Sequence, residues 1–147
     1  AYSDIIFDKS ILKKLIKCKK TTLPLNYLWL KLWKRRMSDK NILDDAEDVR
    51  VKNKKVVAIG GKIKKNMIPQ MQFMGLMKIK KRDYYVMKKK YDEIRDRNID
   101  FTTFINLSIQ TKTIEVEQLK CKSLWVEIDS KRDLKVAEQI LKTENRI

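Results

Sequence analysis

Two kinds of segment alternate along the chain, and this alternation constrains the fold more than any other feature. Short runs rich in β-branched and aromatic residues are typical of buried strands, and segments with apolar residues at helical spacing are typical of amphipathic helices. The pattern predicts strands at 2–7, 21–25, 48–51, 56–59, 72–79, 114–117 and 123–128. It predicts helices at 9–19, 27–37, 82–96, 101–109 and 130–143. Strands that alternate with helices indicate an α/β fold with a mixed sheet.

Local signals add detail to this outline. Pro24 cannot donate to a ladder hydrogen bond, which predicts that its strand lies near an edge of the sheet or that the proline lies at the strand's end. The polar, acidic stretch 41–48 is predicted to be a loop, and Asn53-Lys54 is predicted to turn a β-hairpin. Ser130 is predicted to cap the last helix. No internal repeat or Gly/Ser/Pro-rich linker interrupts residues 1–147, so we expect a single domain.

The residues that are missing exclude many kinds of catalysis. The chain has no histidine, which excludes Ser-His-Asp and Cys-His catalysis and histidine-based metal sites. Its two cysteines, Cys18 and Cys121, are too few for a thiolate metal site or a disulfide scaffold. Three glycines, at 60, 61 and 75, cannot form a phosphate-binding glycine loop. Catalysis must then use carboxylates, lysines, arginines or a metal ion held by oxygen atoms.

The net charge of +16 allows two interpretations. A basic chain is typical of proteins that bind nucleic acid, and a non-catalytic binding module for nucleic acid or other polyanions is one hypothesis. The lysines are spread along the chain, however, which is also typical of an ordinary solvated surface. No apolar run approaches the roughly 18 residues of a membrane span, and we expect a cytoplasmic protein with reduced cysteines.

Two aspartates are predicted to lie at strand ends. Asp4 follows Ala1-Tyr2-Ser3 in the first short strand segment, and Asp129 directly follows the last strand. Ligands of open α/β sheets bind at the carboxyl ends of strands, and Mg²⁺ takes one or two carboxylates together with substrate phosphates. A magnesium site formed by Asp4 and Asp129 is therefore one hypothesis. The alternative is that Asp129 only contributes to the cap of the last helix.

Four segments, 2–7, 57–62, 73–79 and 125–134, occur in the order seen in nucleotidyltransferases. The Glu-Ile-Asp-x-x-x-Asp-Leu run after a tryptophan is the most specific of them. The chain resembles the branch that activates phosphocholine, aminoethylphosphonate or similar small phosphate esters, and it is similar to sugar-phosphate nucleotidyltransferases. The resemblance implies a three-layer Rossmann-like mixed sheet of the nucleotide-diphospho-sugar transferase type.

The resemblance also implies a reaction and its residues. A substrate phosphate attacks the α-phosphorus of a nucleoside triphosphate, expected to be CTP, and pyrophosphate leaves. Asp4 and Asp129 are implied to hold Mg²⁺, and Lys62 to bind a phosphate as an electrostatic clamp, unless it is only a solvated hairpin lysine. The residues implied to bind the acceptor are Trp29, Trp33, Glu127 and Gly75. The two tryptophans offer faces to a quaternary ammonium group, or else they belong to the hydrophobic core.

The Gly-rich loop that binds the triphosphate in this family has no counterpart in the sequence. We therefore expect residues 1–147 to be the C-terminal portion of a larger nucleotidyltransferase domain. The chain alone is not expected to turn over nucleotides, and a missing N-terminal segment or a second copy of the chain is the expected partner.

Overall fold

The computed structural model describes residues 1–37, 42–63, 67–96 and 98–144. Its strands are β1 Ile5–Phe7, β2 Thr22–Asn26, β3 Glu47–Lys52, β4 Lys55–Lys62, β5 Gln72–Phe73, β6 Glu117–Cys121 and β7 Trp125–Glu127. Its helices are α1 Lys9–Lys17, α2 Trp29–Arg36, α3 Ile42–Asp45, α4 Lys81–Glu93, α5 Phe101–Gln110 and α6 Lys131–Glu144. None of the helices in these ranges is long and apolar enough to span a membrane.

The predicted mixed sheet is confirmed. Five strands pair in the order β3-β4-β6-β2-β5, with β2 parallel to β6 and the other pairs antiparallel. Strands β1 and β7 form a separate antiparallel pair. A short connection between β6 and β7 links this pair to the main sheet along the chain.

Helices cover both faces of the sheet, which gives three layers. One hydrophobic cluster joins Leu23 and Leu25 of β2 to Phe104 and Ile105 of α5. A second cluster joins α1 and α2 to β7 through apolar and aromatic side chains: Ile11, Leu15, Trp29, Trp33 and Trp125. Burial on both faces explains why β2 is buried along its whole length.

The predicted local signals for two elements are confirmed. Asn53 and Lys54 turn the β3–β4 hairpin with φ angles of 50° and 66°, the left-handed values of a two-residue turn whose twist matches the strands. At the start of α6, the Asp133 N–H donates to Ser130 Oγ at 3.2 Å, and that hydroxyl donates to the Asp133 carboxylate at 2.8 Å. Both features depend on residues close together in the sequence.

The position expected for Pro24 is confirmed, because β2 lies next to the edge strand β5. Pro24 itself lies between the Thr22–Lys78 bridge and the Leu25–Phe73 pair, where β2 makes no ladder contact on that side. Two other local predictions are wrong. Strand β5 is only two residues long, because Gly75 adopts a left-handed φ of 69° soon after it. The stretch 41–48, whose first residue lies outside the described ranges, contains α3 and the start of β3.

The boundaries of the strands near the C-terminus also differ from the prediction. Strand β6 begins at Glu117, where a strand over 114–117 was expected to end. Residues 114 and 116 are nevertheless buried in the core, so the apolar pattern there reflects burial before the ladder begins. The sequence also predicts a loop at 64–70, and residues 64–66 lie outside the described ranges.

Candidate functional site

The pairing of β1 with β7 brings together the two aspartates singled out from the sequence. Ile5 is opposite Glu127, and the Ile128 N–H donates to the Asp4 carbonyl at 2.8 Å. Because the strands are antiparallel, the start of β1 adjoins the end of β7. Asp4 thus precedes its strand instead of following it, which corrects the reason given for its position. Both Asp4 and Asp129 line one cavity of about 220 Å³.

Carboxylates dominate the lining of this cavity, which we call the acidic cavity. Its carboxylates are Asp4, Asp45, Glu47, Glu127 and Asp129. One oxygen from each of Asp45, Glu127 and Asp129 lies within 4.8 Å of the others. The sequence analysis missed the roles of Asp45 and Glu47, because these residues reach the cavity from α3 and β3, far from β7 in the chain. The only sequence signal was the acidic composition of 41–48.

A buried arginine donates hydrogen bonds to two carboxylates of the acidic cavity and to a third carboxylate behind it. The Arg36 side chain is fully buried at the end of α2. Its Nε donates to Asp133 Oδ1 at 3.2 Å and its Nη1 to Glu127 Oε2 at 3.4 Å, and its Nη2 donates to Asp129 Oδ2. Arg36 is not among the site residues nominated from the sequence. Nothing local shows that β7 and α6 pass beside it.

The surroundings shift the pKa values of these carboxyl groups in opposite directions. Burial raises the pKa of Glu127 to about 7; Arg36 opposes this effect, and the charges of Asp129 and Asp45 add to it. Burial likewise raises the pKa of Asp45. Burial also acts to raise the pKa of Asp133, but hydrogen bonds from the Ser130 hydroxyl and from Arg36 outweigh it and lower that pKa. Glu127 and Asp45 therefore hold protons more strongly than Asp133, which lies behind the cavity.

The two candidate tryptophans differ in their position. Trp29 is a core residue, because it is 2% exposed and its indole Nε1 donates to the Pro69 carbonyl at 2.9 Å. It therefore has no face to offer a substrate, which corrects its assignment. Trp33 does line the acidic cavity, although it is 3% exposed. Its ring packs beneath the Arg36 guanidinium, 5.4 Å from centroid to Cζ, and beside Trp125.

Lys62 lies outside the acidic cavity, in a neighbouring one of about 460 Å³. It is exposed at the end of β4 and is paired in register with Glu47. Glu47 and Asp45 line both cavities, so the two spaces adjoin. The structure thus brings Lys62 near the carboxylates without placing it among them.

Gly75 acts on the cavity through a neighbour instead of lining it. Its carbonyl accepts a hydrogen bond from the Tyr2 N–H at 2.8 Å. A Cβ at this position would lie 2.8 Å from Tyr2 Cδ2, which is too close for any side chain. Tyr2 itself lines the cavity and contacts Phe73 edge to face. The assignment of Gly75 to substrate binding is therefore corrected to support of the Tyr2 wall.

Comparisons with known proteins test the resemblance. No known protein-family model matches the chain. A curated relative, CTP:phosphoglutamine cytidylyltransferase of Campylobacter jejuni, is 27% identical over 146 residues, which cover 92% of this chain and 56% of the relative. The solved inositol-1-phosphate CTP transferase from T. maritima has a TM-score of 0.64 at 24% identity. The match covers 95% of this chain and 52% of that one.

A second solved structure, a candidate glucose-1-phosphate thymidylyltransferase from Bacillus anthracis, has a TM-score of 0.59 at 13% identity. This match covers 93% of this chain and 51% of the solved one. The chain has the nucleotidyltransferase fold. The predicted resemblance and the Rossmann-like fold class are both confirmed. The chain spans about half the length of the proteins that it matches.

The donors of this nucleotidyltransferase fold fit a hard divalent cation. The clustered ligand atoms of Asp45, Glu127 and Asp129 are all carboxylate oxygens, the type that Mg²⁺ prefers. Asp4 lies in the same cavity, across the β1–β7 pair. The described part of the chain therefore has more oxygen donors in this cavity than the two that the sequence analysis nominated.

Proposed function

We propose that this chain is the metal-binding and acceptor-binding part of a cytidylyltransferase. In the proposed reaction an oxygen of a small phosphate or phosphonate ester attacks the α-phosphorus of CTP, and the bond to pyrophosphate breaks. The cytidylyltransferase relative from C. jejuni supports this reaction class. The observation that carries the proposal is the β1–β7 pairing, which sets Asp4 and Asp129 on one cavity with Asp45 and Glu127.

Each side chain of the acidic cavity has a proposed role. Asp4 and Asp129 hold Mg²⁺, and Glu127 and Asp45 supply further oxygens beside them. Bound there, Mg²⁺ neutralises charge on the triphosphate and on the leaving pyrophosphate. Lys62, in the adjoining cavity, attracts a substrate phosphate by its charge.

The lining of the cavity also favours one class of acceptor. No lysine or arginine is among the described residues that line it, and Tyr2, Trp33 and Phe73 add aromatic surface to its carboxylates. Carboxylates and aromatic rings together attract ammonium groups. We therefore propose an acceptor that carries a cationic group, such as phosphocholine, in preference to a sugar phosphate.

The first test is Mn²⁺ binding by the 147-residue chain, measured by electron paramagnetic resonance. Mn²⁺ is a spectroscopic substitute that accepts the same oxygen ligands. We expect saturable binding that Asp129→Asn or Asp4→Asn weakens by roughly a hundredfold, since each removes a charged ligand. Asp96→Asn is the matched control, because Asp96 is exposed on another part of the chain. Binding that Asp129→Asn leaves unchanged would refute the metal site.

The second test concerns the acceptor. With Mg²⁺ and CTP present, phosphocholine should bind more tightly than its isostere in which carbon replaces the ammonium nitrogen. Equal affinity for the two compounds would contradict a cation-binding cavity. Polyanion binding that depends steeply on salt and is unaffected by Asp129→Asn would instead favour the basic binding module.

A further inference from the structure

We propose that Arg36 is a positioning residue that sets the spacing and direction of Glu127 and Asp129 for a bound divalent cation. The inference rests on the proposed metal-binding role of the acidic cavity. It extends that role to a residue that lines no part of the cavity, because Arg36 lies behind the carboxylates. The two carboxylates and the guanidinium come from β7, the segment after it and the end of α2.

The contacts of the guanidinium fit this role. Glu127 is the last residue of β7, and Asp129 lies two residues further on in a bend, yet both side chains reach the same guanidinium. Two nitrogens of one planar group contact them, Nη1 at Glu127 Oε2 and Nη2 at Asp129 Oδ2. The rigid fork therefore fixes one oxygen of each carboxylate at a defined separation. A carboxylate has a second oxygen, which can serve a cation.

Arg36 is itself held on its remaining sides. Its Nε donates to Asp133, whose other carboxylate oxygen accepts from the Ser130 hydroxyl. The aromatic ring of Trp33 lies against the guanidinium, 5.4 Å from centroid to Cζ. With its side chain fully buried, the group has a fixed position relative to α2 and α6. A rigid support of this kind is what precise ligand placement requires.

Charge and position predict opposite effects on cation affinity. The positive charge of Arg36 repels any cation in the acidic cavity, so a purely electrostatic role predicts tighter cation binding when that charge is removed. A positioning role predicts weaker binding, because the carboxylates lose their shared orientation. A role limited to stability predicts a less stable chain with an unchanged affinity when folded.

The test is Mn²⁺ affinity by electron paramagnetic resonance for Arg36→Lys and Arg36→Met, with near-ultraviolet circular dichroism to verify the fold. Lysine keeps the charge but loses the planar fork, and we expect a loss of affinity of roughly tenfold or more. Arg36→Met should also bind more weakly than the unaltered chain. Arg35→Lys and Arg35→Met are the matched controls, because Arg35 is the exposed neighbour on the same helix. They should bind Mn²⁺ as the unaltered chain does.

The outcomes separate the inference from the proposed function. If the unaltered chain binds Mn²⁺, Asp129→Asn weakens that binding, and Arg36→Lys binds normally, the positioning role is wrong and the metal site stands. Tighter binding by folded Arg36→Met also overturns the positioning role. If the unaltered chain binds no Mn²⁺, the metal site and the inference both fail. Since loss of the buried charge can unfold Arg36→Met, Arg36→Lys carries the test by itself.

Discussion

Two cavities of the molecule carry opposite charge. The acidic cavity, about 220 Å³, is lined by five carboxylates that come from three parts of the chain. Another cavity, about 470 Å³, lies at the start of α4, and we call it the basic cavity. Its cations are Lys20, Lys80, Arg82 and Lys112. A chain with a net charge of +16 thus places its candidate site in its acidic region. Net charge describes the whole surface, and it does not give the sign of the charge at a site.

The two cavities also differ in how their charges are held. The four cations are exposed to solvent, where each charge has a small effect on stability. Glu47 and Glu127 of the acidic cavity are partly buried, and three acidic groups share the buried Arg36. Removing one partner of a buried ion pair leaves the others without compensation. Substitutions that remove a charge should therefore change the free energy of unfolding strongly at the acidic cavity and weakly at the basic cavity.

The largest effect is expected from removal of the shared cation. Arg36→Met leaves three acidic groups without their counterion, and the free energy of unfolding should fall by about 3–5 kcal/mol. Urea denaturation measures this difference. Arg35→Met, at the exposed adjacent position, should change the free energy of unfolding by about 0.5 kcal/mol or less. Equal losses of unfolding free energy for the two variants would mean that the buried ion pairs of Arg36 stabilise the chain no more than an exposed charge does.

The next effect depends on pH. The pKa of Glu127 is raised to about 7 in the folded chain, so between about pH 4.5 and 7 the folded state binds more protons than the unfolded state. Stability contributed by the protonated group is therefore present at low pH and lost as pH rises toward 7. Glu127→Gln imitates the protonated group. Relative to the unaltered chain, it should gain on the order of 1–3 kcal/mol in stability between about pH 5 and pH 8.

Urea denaturation at the two pH values measures this change, and Glu138→Gln, an exposed position on α6, is the control. The control should show the same pH dependence as the unaltered chain. Glu127→Gln is also expected to bind Mn²⁺ more weakly, because it loses a charged ligand. If the stability of Glu127→Gln has the same pH dependence as that of the unaltered chain, Glu127 titrates in its ordinary range.

A third effect concerns the wall of the acidic cavity. Gly75→Ala introduces a side chain at a φ of 69° and within 2.8 Å of the Tyr2 ring. Strain and the displaced ring should lower the free energy of unfolding by about 1–2 kcal/mol. Gly61→Ala, which meets only Asp48 at 3.7 Å, should leave stability unchanged or raise it slightly. Thermal denaturation compares the two variants. Equal changes in stability would show that a side chain at position 75 does not disturb Tyr2.

The smallest effect is expected at the basic cavity. The double variant Lys80→Gln, Arg82→Gln removes two exposed cations, and the free energy of unfolding should change by about 0.5 kcal/mol or less. Its Mn²⁺ affinity should match that of the unaltered chain. A loss as large as that of Arg36→Met would show that the basic cavity is also a coupled charge network. The comparison between the two cavities would then no longer hold.

The fold was predictable where the signals are local. Alternating segments predicted the mixed α/β sheet, and the Asn53-Lys54 turn and the Ser130 cap lie where their sequences indicate. The errors arise where a distant segment decides the outcome. Residues 114 and 116 are buried, but the ladder between β6 and β2 begins only at Glu117, so the apolar pattern predicted this strand too early. Apolar spacing by itself does not show where a partner strand begins.

The site was predictable only in part. Asp4, Asp129 and Glu127 were nominated and line one cavity, and their metal-binding role remains a prediction. Asp45 and the supporting Arg36 were missed, because each contacts the site through residues about a hundred positions away or in another element. Charged residues are frequent in this sequence, and the sequence does not distinguish a solvated charge from a buried one.

The sequence by itself determined the class of fold, the order of most elements and the absence of histidine chemistry, since these follow from residue spacing and composition. Only the tertiary structure decided that the start of β1 lies beside the end of β7, and that Arg36 lies beneath Glu127 and Asp129. The physical reason is the range of the interactions. Helix periodicity, turns and caps depend on neighbours a few residues apart, whereas strand pairing and burial of charge depend on segments that meet only when the chain folds.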